Sequence, residues 1–292
     1  MRVDRKSAIG IIGAGRVGGA LSDALLKSGW LLDAVASRSQ EGAEKLASHL
    51  PFVAAIEVAE LVATTDLVFL AVPDAAIGVL AAELAWRPEQ AVVHLSGGRG
   101  LEVLAPVTEA GGQAGTLHPL QTFPGGEEPA QARTRFVGVA CGIEAPAPLD
   151  SVLEAIVDDL GARAFRLERV DRAAYHAAAV FVSNDVVAVM AAATRAWELA
   201  GLPAEAARES LSPLLQASAQ AIAERPLTEA LTGPVARGDV DTVRHHLGAL
   251  APEADLSLLY RALASELLRL EFGLPEEVAA TLVELVGAPT SS

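Results

Sequence analysis

Cysteine and positive charge are both scarce in this 292-residue sequence. Cys141 is the only cysteine, which excludes an internal disulfide and a cysteine-based metal cluster. Its apolar neighbours in FVGVACGI indicate a buried structural thiol. Lys and Arg number 22 against 37 Asp and Glu, a formal net charge of −15. Because phosphate backbones are bound by clustered Lys and Arg, this balance argues against a nucleic-acid partner.

The sequence also lacks the long apolar segment of a secretory signal near its start, where MRVDRKSAIGIIG leads directly into a strand-like run. The most apolar long stretch, residues 173–193, contains His176, Asn184 and Asp185. Polar residues at this density indicate a helix buried in protein rather than in lipid. We therefore expect a cytoplasmic protein without a membrane partner.

The N-terminal half alternates short apolar runs with segments of helical spacing. Runs such as DLVFLAV and AVVHL are continuously apolar, as expected for strands that helices cover on both faces. Alternation at this pitch implies right-handed crossovers and a parallel sheet. The sequence thus predicts an α/β fold, a Rossmann doubly wound parallel sheet over residues 1–168, with one further strand after FVGVACGI to close the sheet.

The first turn reads Gly-Ala-Gly-Arg-Val-Gly, directly after a strand and at the start of a helix. In this context Gly13 permits a tight turn, Gly15 lets the backbone approach a pyrophosphate, and Gly18 lets the helix pack on the strand. The helix N-terminus supplies free N–H groups for the phosphates. We expect a dinucleotide here. Five further residues should contact it, from the turn itself and from the ends of the later runs DLVFLAV and AVVHL: Arg16, Val17, Val72, Pro73 and Ser96.

The second strand ends in Ser37, Arg38 and Ser39, with no carboxylate at its tip. An Asp or Glu there would accept hydrogen bonds from the ribose 2′-hydroxyl of NAD, whereas hydroxyls and a guanidinium suit a 2′-phosphate. The sequence therefore favours NADP(H). The alternative is that Arg38 is a solvated loop residue.

From Asp171 onward the segments show only helical spacing, separated by breakers such as GLP, ERP and TGPVARGD. This predicts a smaller all-α domain over residues 169–292, which begins with one long helix from Arg172 to Ala200. That helix is apolar around most of its circumference, which predicts a homodimer through the helical domain.

GAGRVGGAL, AVPD, HLSGG, LHPLQTF, YHAAAVFVSN and LTGPVARGD together resemble one family. Its members are oxidoreductases that pair a Rossmann domain with a helical domain of unknown function numbered 2520. The likeness spans nearly the whole chain, and the family is similar to a wider group with ketopantoate reductase, prephenate dehydrogenase, pyrroline-carboxylate reductase and the β-hydroxyacid dehydrogenases. The resemblance implies NADP binding and an interlocked helical dimer, but no firmly assigned substrate.

Lysine is missing where the resemblance would place it. The β-hydroxyacid dehydrogenases use a lysine one turn before an asparagine on the first long helix of their second domain. Asn184 matches that asparagine, but Val180 stands one turn earlier, and the lysines of the chain (Lys6, Lys27 and Lys45) are all in the N-terminal half. The same scarcity excludes a Tyr-x-x-x-Lys pair, since neither tyrosine has a lysine four residues later.

Two histidines are the candidate proton donors for reduction of a carbonyl. His176 lies seven residues before Ser183, so on one continuous helix both would face the substrate, about 10 Å apart, with Asn184 orienting the carbonyl. His118 lies at a predicted strand end, where parallel sheets bind ligands, and prephenate dehydrogenases carry a similar His-Pro. Each histidine has a structural alternative, a helix–helix hydrogen bond for His176 and a loop cap for His118.

Two arginines are rival clamps for a substrate carboxylate. In LTGPVARGD, Asp239 is explained as a helix N-cap and Gly233 as a helix end, which leaves Arg237 unexplained. Arg172, one turn before His176, is the rival. Nothing resembles a metal site.

The function predicted from these residues is NADPH-dependent reduction of a small oxo acid, with ketopantoate as the best single substrate. Two alternatives stay open: an imine or prephenate-like dehydrogenase on the same scaffold, and a non-catalytic NADP(H) sensor.

Overall fold

The computed structural model describes residues 3–270 and 272–287. The chain divides into two compact units, residues 1–182 and 183–292. The boundary predicted between residues 168 and 169 lies before helix α8 (Arg172–Phe181), which the structure groups with the first unit. The outer ends of the two predicted domains, Met1 and Ser292, lie outside the described residues.

The first unit is built on an eight-stranded sheet in the order β3-β2-β1-β4-β5-β6-β7-β8. Strands β1 to β6 are mutually parallel, and their order is that of a doubly wound Rossmann sheet, as predicted. The strands are β1 Ile9–Ile12, β2 Leu32–Ala36, β3 Ala54–Ala55, β4 Leu67–Leu70, β5 Ala91–His94, β6 Gln113–Pro119, β7 Ala140–Glu144 and β8 Arg163–Arg166.

The sheet is not parallel throughout, because β7 runs antiparallel to β6 and β8 follows the direction of β7. A parallel β7 would require a crossover, usually a helix that packs on the sheet. Residues 120–139 contain only the short helix α6 (Pro129–Ala132) and a 3-10 turn (Arg133–Phe136), and both pack against α1 (Arg16–Lys27). The further strand expected after FVGVACGI is β8, and it joins the sheet by pairing with the reversed strand β7.

Helices cover both faces of this sheet, so its strands are buried on both sides as their apolar sequences predicted. Alternate residues of each strand point to opposite faces of the sheet and so contribute to two separate hydrophobic cores. Ile9, Ile11 and Phe69 lie in one core, and Val68 and Leu70 lie in the other. Cys141 is buried, and burial raises the pKa of its thiol to about 12, which confirms a structural thiol. The remaining helices of this unit are α2 Gln40–Ala47, α3 Val58–Thr64, α4 Asp74–Glu83, α5 Ala105–Glu109 and α7 Leu149–Asp159.

The described part of the second unit is helical, as predicted. Its helices are α9 Asn184–Leu199, α10 Ala204–Glu224, α11 Leu227–Ala230, α12 Val240–Leu250, α13 Ala254–Leu268 and α14 Glu276–Val286. Side chains of α12, α13 and α14 form a small core around Val243, Leu247 and Leu282. Helices α9 and α10 pack on each other but bury only Ala207.

The single helix predicted from Arg172 to Ala200 is two helices. α8 ends at Phe181, and a turn through Val182 and Ser183 precedes α9. Ser and Asn side chains compete with the backbone for hydrogen bonds, which favours helix ends over helix interiors. Ser183 Oγ here donates to Asn184 Oδ1 at 3.1 Å.

Helices α8 and α9 contain no residue that is buried within one chain, so the burial expected of this segment in a homodimer stays a prediction. By length and composition, Arg172–Leu199 is the one described stretch that could span a membrane, and an 18-residue window within it has a mean hydropathy of 1.7. It carries Arg172, Asp185, Arg195 and Glu198, however, and charged residues are rare in membrane helices.

Candidate active site

The turn after β1 has the geometry of a dinucleotide-binding turn. Gly13 has a φ of 123°, and a Cβ there would lie 2.2 Å from the carbonyl oxygen of Ala71. A Cβ on Gly18 would lie 1.9 Å from the carbonyl oxygen of Gly13. Gly15, exposed at the N-cap of α1, would place a Cβ with no protein atom within 4 Å. Packing thus requires the first and third glycines, whereas the second leaves the backbone open to a ligand.

The tip of β2 lies beside this turn, because the N–H of Gly13 donates to the carbonyl of Ala36 at 2.8 Å. Ser39 caps α2, since its Oγ accepts a hydrogen bond from the N–H of Gly42 at 3.2 Å. Arg38 is exposed and makes no hydrogen bond or ion pair with the described part of the chain. The tip of β2 therefore presents one unpaired guanidinium, that of Arg38, between the hydroxyls of Ser37 and Ser39, and a bound ligand could contact all three.

The other predicted cofactor contacts surround the same turn. Arg16 is exposed at the start of α1, and its Nη1 donates to the carbonyl of Phe123 at 3.4 Å. Val17 and Val72 each pack against one of the two cores. Pro73 occupies the N-cap of α4. All four lie at the carboxyl edge of the parallel strands, where Rossmann sheets bind their ligands.

A buried histidine holds the loop after β5. The N–H of Ser96 donates to His94 Nδ1 at 3.2 Å, so Nε2 carries the proton and donates to the carbonyl of Gly100 at 3.1 Å. Burial lowers the pKa of His94, in agreement with this neutral form. Ser96 Oγ donates to the carboxylate of Asp74 at 2.7 Å. Ser96 therefore links this loop to the N-terminus of α4.

His118 lies at the carboxyl end of β6, as predicted, and pairs with a tyrosine. Its Nδ1 is 2.7 Å from the hydroxyl of Tyr175, and the two rings meet edge to face with centroids 5.5 Å apart. Glycines make room on both sides. A Cβ on Gly142, the strand partner of His118, would lie 2.9 Å from the tyrosine hydroxyl, and one on Gly97 would lie 2.5 Å from the imidazole.

Burial, followed by the positive charges of His176 and Arg172, lowers the pKa of His118 to about 4, while Asp74 opposes them. This differs from the near-neutral pKa expected of a proton-donating imidazolium. Burial raises the pKa of Tyr175 to about 12, so the phenol keeps its proton. This hydrogen bond has two neutral forms: the hydroxyl donates to Nδ1 of an imidazole whose own proton is on Nε2, or Nδ1–H donates to the phenol oxygen.

His176 and Asp74 stand next to this pair. The ring centroids of His176 and His118 are 6.1 Å apart. A side-chain carbon of His176 and a carboxylate oxygen of Asp74 both lie within 3.7 Å of the point where a Cβ on Gly98 would be. The structure thus brings the two candidate histidines together, with His176 on the exposed side.

Arg172, at the start of α8, forms an ion pair with Glu144, and its side chain is only 11% exposed. Glu144 pairs with Thr116 across the sheet, two residues along β6 from His118 and hence on the same face. Arg172 Nη1 is buried without a hydrogen-bond partner among the described residues. Its positive charge is thus near His118 and Tyr175.

Ser183 and Arg237, predicted to bind substrate, and Asn184, predicted to be catalytic, belong to the second unit. Because α8 ends at Phe181, the seven-residue spacing does not put Ser183 and His176 on one helix face. Arg237 is exposed in the loop before α12, which Asp239 caps as predicted by accepting the N–H of residue 242 at 3.0 Å. The roles of the three residues stay predictions.

The arrangement fits a dinucleotide. The N-terminus of the 12-residue helix α1 and the open backbone at Gly15 suit a pyrophosphate, and the unpaired Arg38 suits a further phosphate. This fold and this turn define a Rossmann-type dinucleotide-binding protein.

Comparison with protein families finds matches for two parts of the chain. Residues 1–119 match a Rossmann-like domain, and residues 139–267 match a domain of unknown function, DUF2520. The chain therefore combines a Rossmann-like domain with a DUF2520 domain, as the sequence motifs indicated. No curated protein matches the sequence.

Solved structures share this architecture. A provisionally assigned NADP oxidoreductase from Bacteroides fragilis is 27% identical, with a TM-score of 0.70 over 90% of this chain and 98% of its own. A protein from Thermotoga maritima is 24% identical, with a TM-score of 0.69 over 94% of this chain and 98% of its own. A reductive aminase from Aspergillus terreus, in complex with NADPH and ethyl levulinate, is 16% identical, with a TM-score of 0.63 over 96% of this chain and 99% of its own.

The sequence analysis did not single out Tyr175, Asp74 or Glu144 as site residues. Asp74 had a local signal, because it follows the predicted strand end at AVPD and begins a helix. Tyr175 and Glu144 had none, because Tyr175 meets His118 only through the placement of α8, and Glu144 lies on the reversed strand β7.

Proposed function

We propose that this chain is an NADP-dependent reductase. The observation that carries the proposal is the unpaired Arg38 between two serines at the tip of β2, joined by a backbone hydrogen bond to the glycine turn. The names of the structural neighbours support it, since one is described as an NADP oxidoreductase and another holds NADPH.

In this proposal the turn at Gly15 and the N-terminus of α1 bind the pyrophosphate, and the tip of β2 binds the 2′-phosphate. The nicotinamide supplies a hydride when the cofactor is bound. The reacting end faces Ser96 and the His118–Tyr175 pair, both at the carboxyl edge of the sheet. His118 Nε2–H then donates to the substrate oxygen as negative charge develops on it.

We propose a small oxo acid as the substrate, with ketopantoate as the first compound to test. Its carboxylate would be attracted by the positive charge of Arg172, whose Nη1 has no partner among the described residues. In the second unit, Arg237 is the rival clamp, Ser183 a further contact and Asn184 the residue that orients the carbonyl.

The test is NADPH oxidation followed at 340 nm with ketopantoate, other 2-oxo acids and cyclic imines. Consumption with an oxo acid but not with imines supports the substrate proposal. If NADPH is consumed with imines alone, the chain is still a reductase, but its substrates are imines rather than oxo acids. Tight NADPH binding without turnover of any compound would instead make the chain an NADP(H) sensor.

We further propose that the chain is a cytoplasmic homodimer held through its helical unit. Helices α9 and α10 expose large apolar side chains, among them Val187 (71%), Leu214 (66%) and Ile222 (55%). Between them lies a groove of about 200 Å³ lined by Val189, Met190, Ala193, Leu211, Leu214, Leu215 and Ser218. A second copy of the same helices would cover this apolar surface.

A further inference from the structure

We infer that Tyr175 is the source of the proton that completes the reduction, and that it acts through His118. The inference rests on the proposed function. It makes His118 the residue that contacts substrate and Tyr175 a positioning and proton-supplying residue behind it, a role that the sequence did not indicate.

The geometry supplies the hydrogen bond through which the proton would pass from Tyr175 to His118. The Tyr175 hydroxyl is 2.7 Å from His118 Nδ1, and the edge-to-face rings fix the approach. Gly142 leaves room for the hydroxyl and Gly97 for the imidazole, so a side chain at either position would displace one of the two rings. With the phenol proton directed at Nδ1, only Nε2–H of His118 remains to donate to a substrate.

The step balances without another reactant. The alkoxide formed by hydride addition takes the Nε2 proton of His118 while Nδ1 takes the hydroxyl proton of Tyr175. His118 is neutral before and after, with its proton moved from Nε2 to Nδ1, and Tyr175 is left as a phenolate that solvent reprotonates. The transfer is favourable because a phenol is much more acidic than an alcohol. The positive charge of Arg172 stabilises the phenolate, since it lowers the pKa of Tyr175.

The pH dependence separates this relay from donation by an imidazolium. The titratable and charged groups around the pair are His94 from β5, Asp74 from α4, Cys141 and Glu144 from β7, and Arg172 and His176 from α8. A donor that acts as an imidazolium loses its proton as the pH rises, so the rate of reduction would then fall between pH 6 and 9. A tyrosine donor keeps its proton, so the rate stays level from pH 6 to 9.

The chain contains a matched control. Tyr260 of the second unit also bonds a histidine, with its hydroxyl 2.9 Å from His246 Nδ1 and the rings edge to face at 5.7 Å. Tyr260→Phe removes the same hydroxyl from the same kind of pair, and Tyr260 has no role in the proposed function.

The experiment compares wild type, Tyr175→Phe, His118→Gln, His176→Gln and Tyr260→Phe with whichever compound of the panel is reduced. We expect Tyr175→Phe and His118→Gln each to lower kcat by about 10²-fold, the usual contribution of general acid catalysis, with NADPH affinity unchanged. His176→Gln and Tyr260→Phe should keep the level profile. Full kcat in Tyr175→Phe, or a wild-type rate that falls between pH 6 and 9 and becomes level in His176→Gln, would overturn the relay and leave the reductase intact.

A measurement without turnover tests the proton position directly. Nitrogen-15 spectra of the imidazoles, assigned with His118→Gln, should show His118 at pH 7 as a neutral ring protonated on Nε2. A ring protonated on Nδ1, or on both nitrogens, contradicts the relay whatever the rates are. If no compound of the panel is reduced, the proposed function fails, and the relay fails with it.

Discussion

Arg38→Ala tests the cofactor preference with the least disturbance to the fold. Arg38 is exposed and unpaired within the described chain, so its removal should change the free energy of unfolding by no more than about 0.5 kcal/mol. Hydrogen bonds to charged groups contribute roughly 1.5–3 kcal/mol, which is about a 10–150-fold rise in the Kd for NADPH at 25 °C. NADH has no 2′-phosphate, so its Kd should not change.

The assay is calorimetric titration of wild type and variant with both cofactors, at low salt and again at high salt, where the phosphate contact weakens. Lys45→Ala is the matched control, because it removes one exposed positive charge from α2 but not from the tip of β2. We expect it to change the Kd less than threefold, on the order of 0.6 kcal/mol. Ser39→Ala should both weaken NADPH binding and cost about 1 kcal/mol of stability, since Ser39 also caps α2. Equal wild-type affinity for NADPH and NADH, or an equal loss of both in Arg38→Ala, would refute the assignment.

Three further predictions follow from the packing, the exposed helices and the charges. Gly15→Ala should melt like wild type but lose NADPH binding, whereas Gly18→Ala should destabilise the first unit because its Cβ would meet the carbonyl of Gly13 at 1.9 Å; equal thermal melts of the two variants would contradict this. Leu214→Glu should convert a dimer to a monomer in sedimentation, and an unchanged dimer would rule out this face. The pKa of His118 is about 4 in the folded chain and about 6.5 in the unfolded chain, so the stability that it contributes is present above pH 6.5 and is lost as the pH falls towards 4. His118→Gln should reduce that loss in the free energy of unfolding, measured by urea titration at each pH, by up to about 3 kcal/mol. A loss parallel to that of wild type would refute the low pKa.

The sheet order, the glycine turn and the position of His118 could be predicted because each has a local signal. Apolar runs mark buried strands, and glycines between a strand and a helix mark a phosphate-binding turn. The carboxyl ends of parallel strands then place Gly13, Ser96 and His118 at one edge without knowledge of any contact.

The predictions that were wrong concern chain direction and helix continuity. Nothing in the composition of β7 distinguishes a parallel from an antiparallel partner of β6, because both are apolar and buried. The apolar spacing predicts one continuous helix across Val182 and Ser183, because a break of one turn leaves the spacing of apolar residues on either side nearly unchanged. The low pKa of His118 has no signal in the sequence, because its burial and its charged neighbours, His176 and Arg172, come from tertiary packing alone.

The reversal of β7 has a consequence for how much the chain tolerates changes in length. Because β8 runs away from the ligand edge, the following helix can return towards it, and successive turns of α8 bring Arg172 to Glu144 and then Tyr175 to His118. The connection of residues 167–171 is fixed at both ends, by the buried Leu167 and by Asp171, which caps α8. One residue inserted there would turn α8 by about 100° and advance it by about 1.5 Å. The tyrosine hydroxyl would then face away from the imidazole, so this short connection sets the alignment of the two rings as strictly as any residue that touches them.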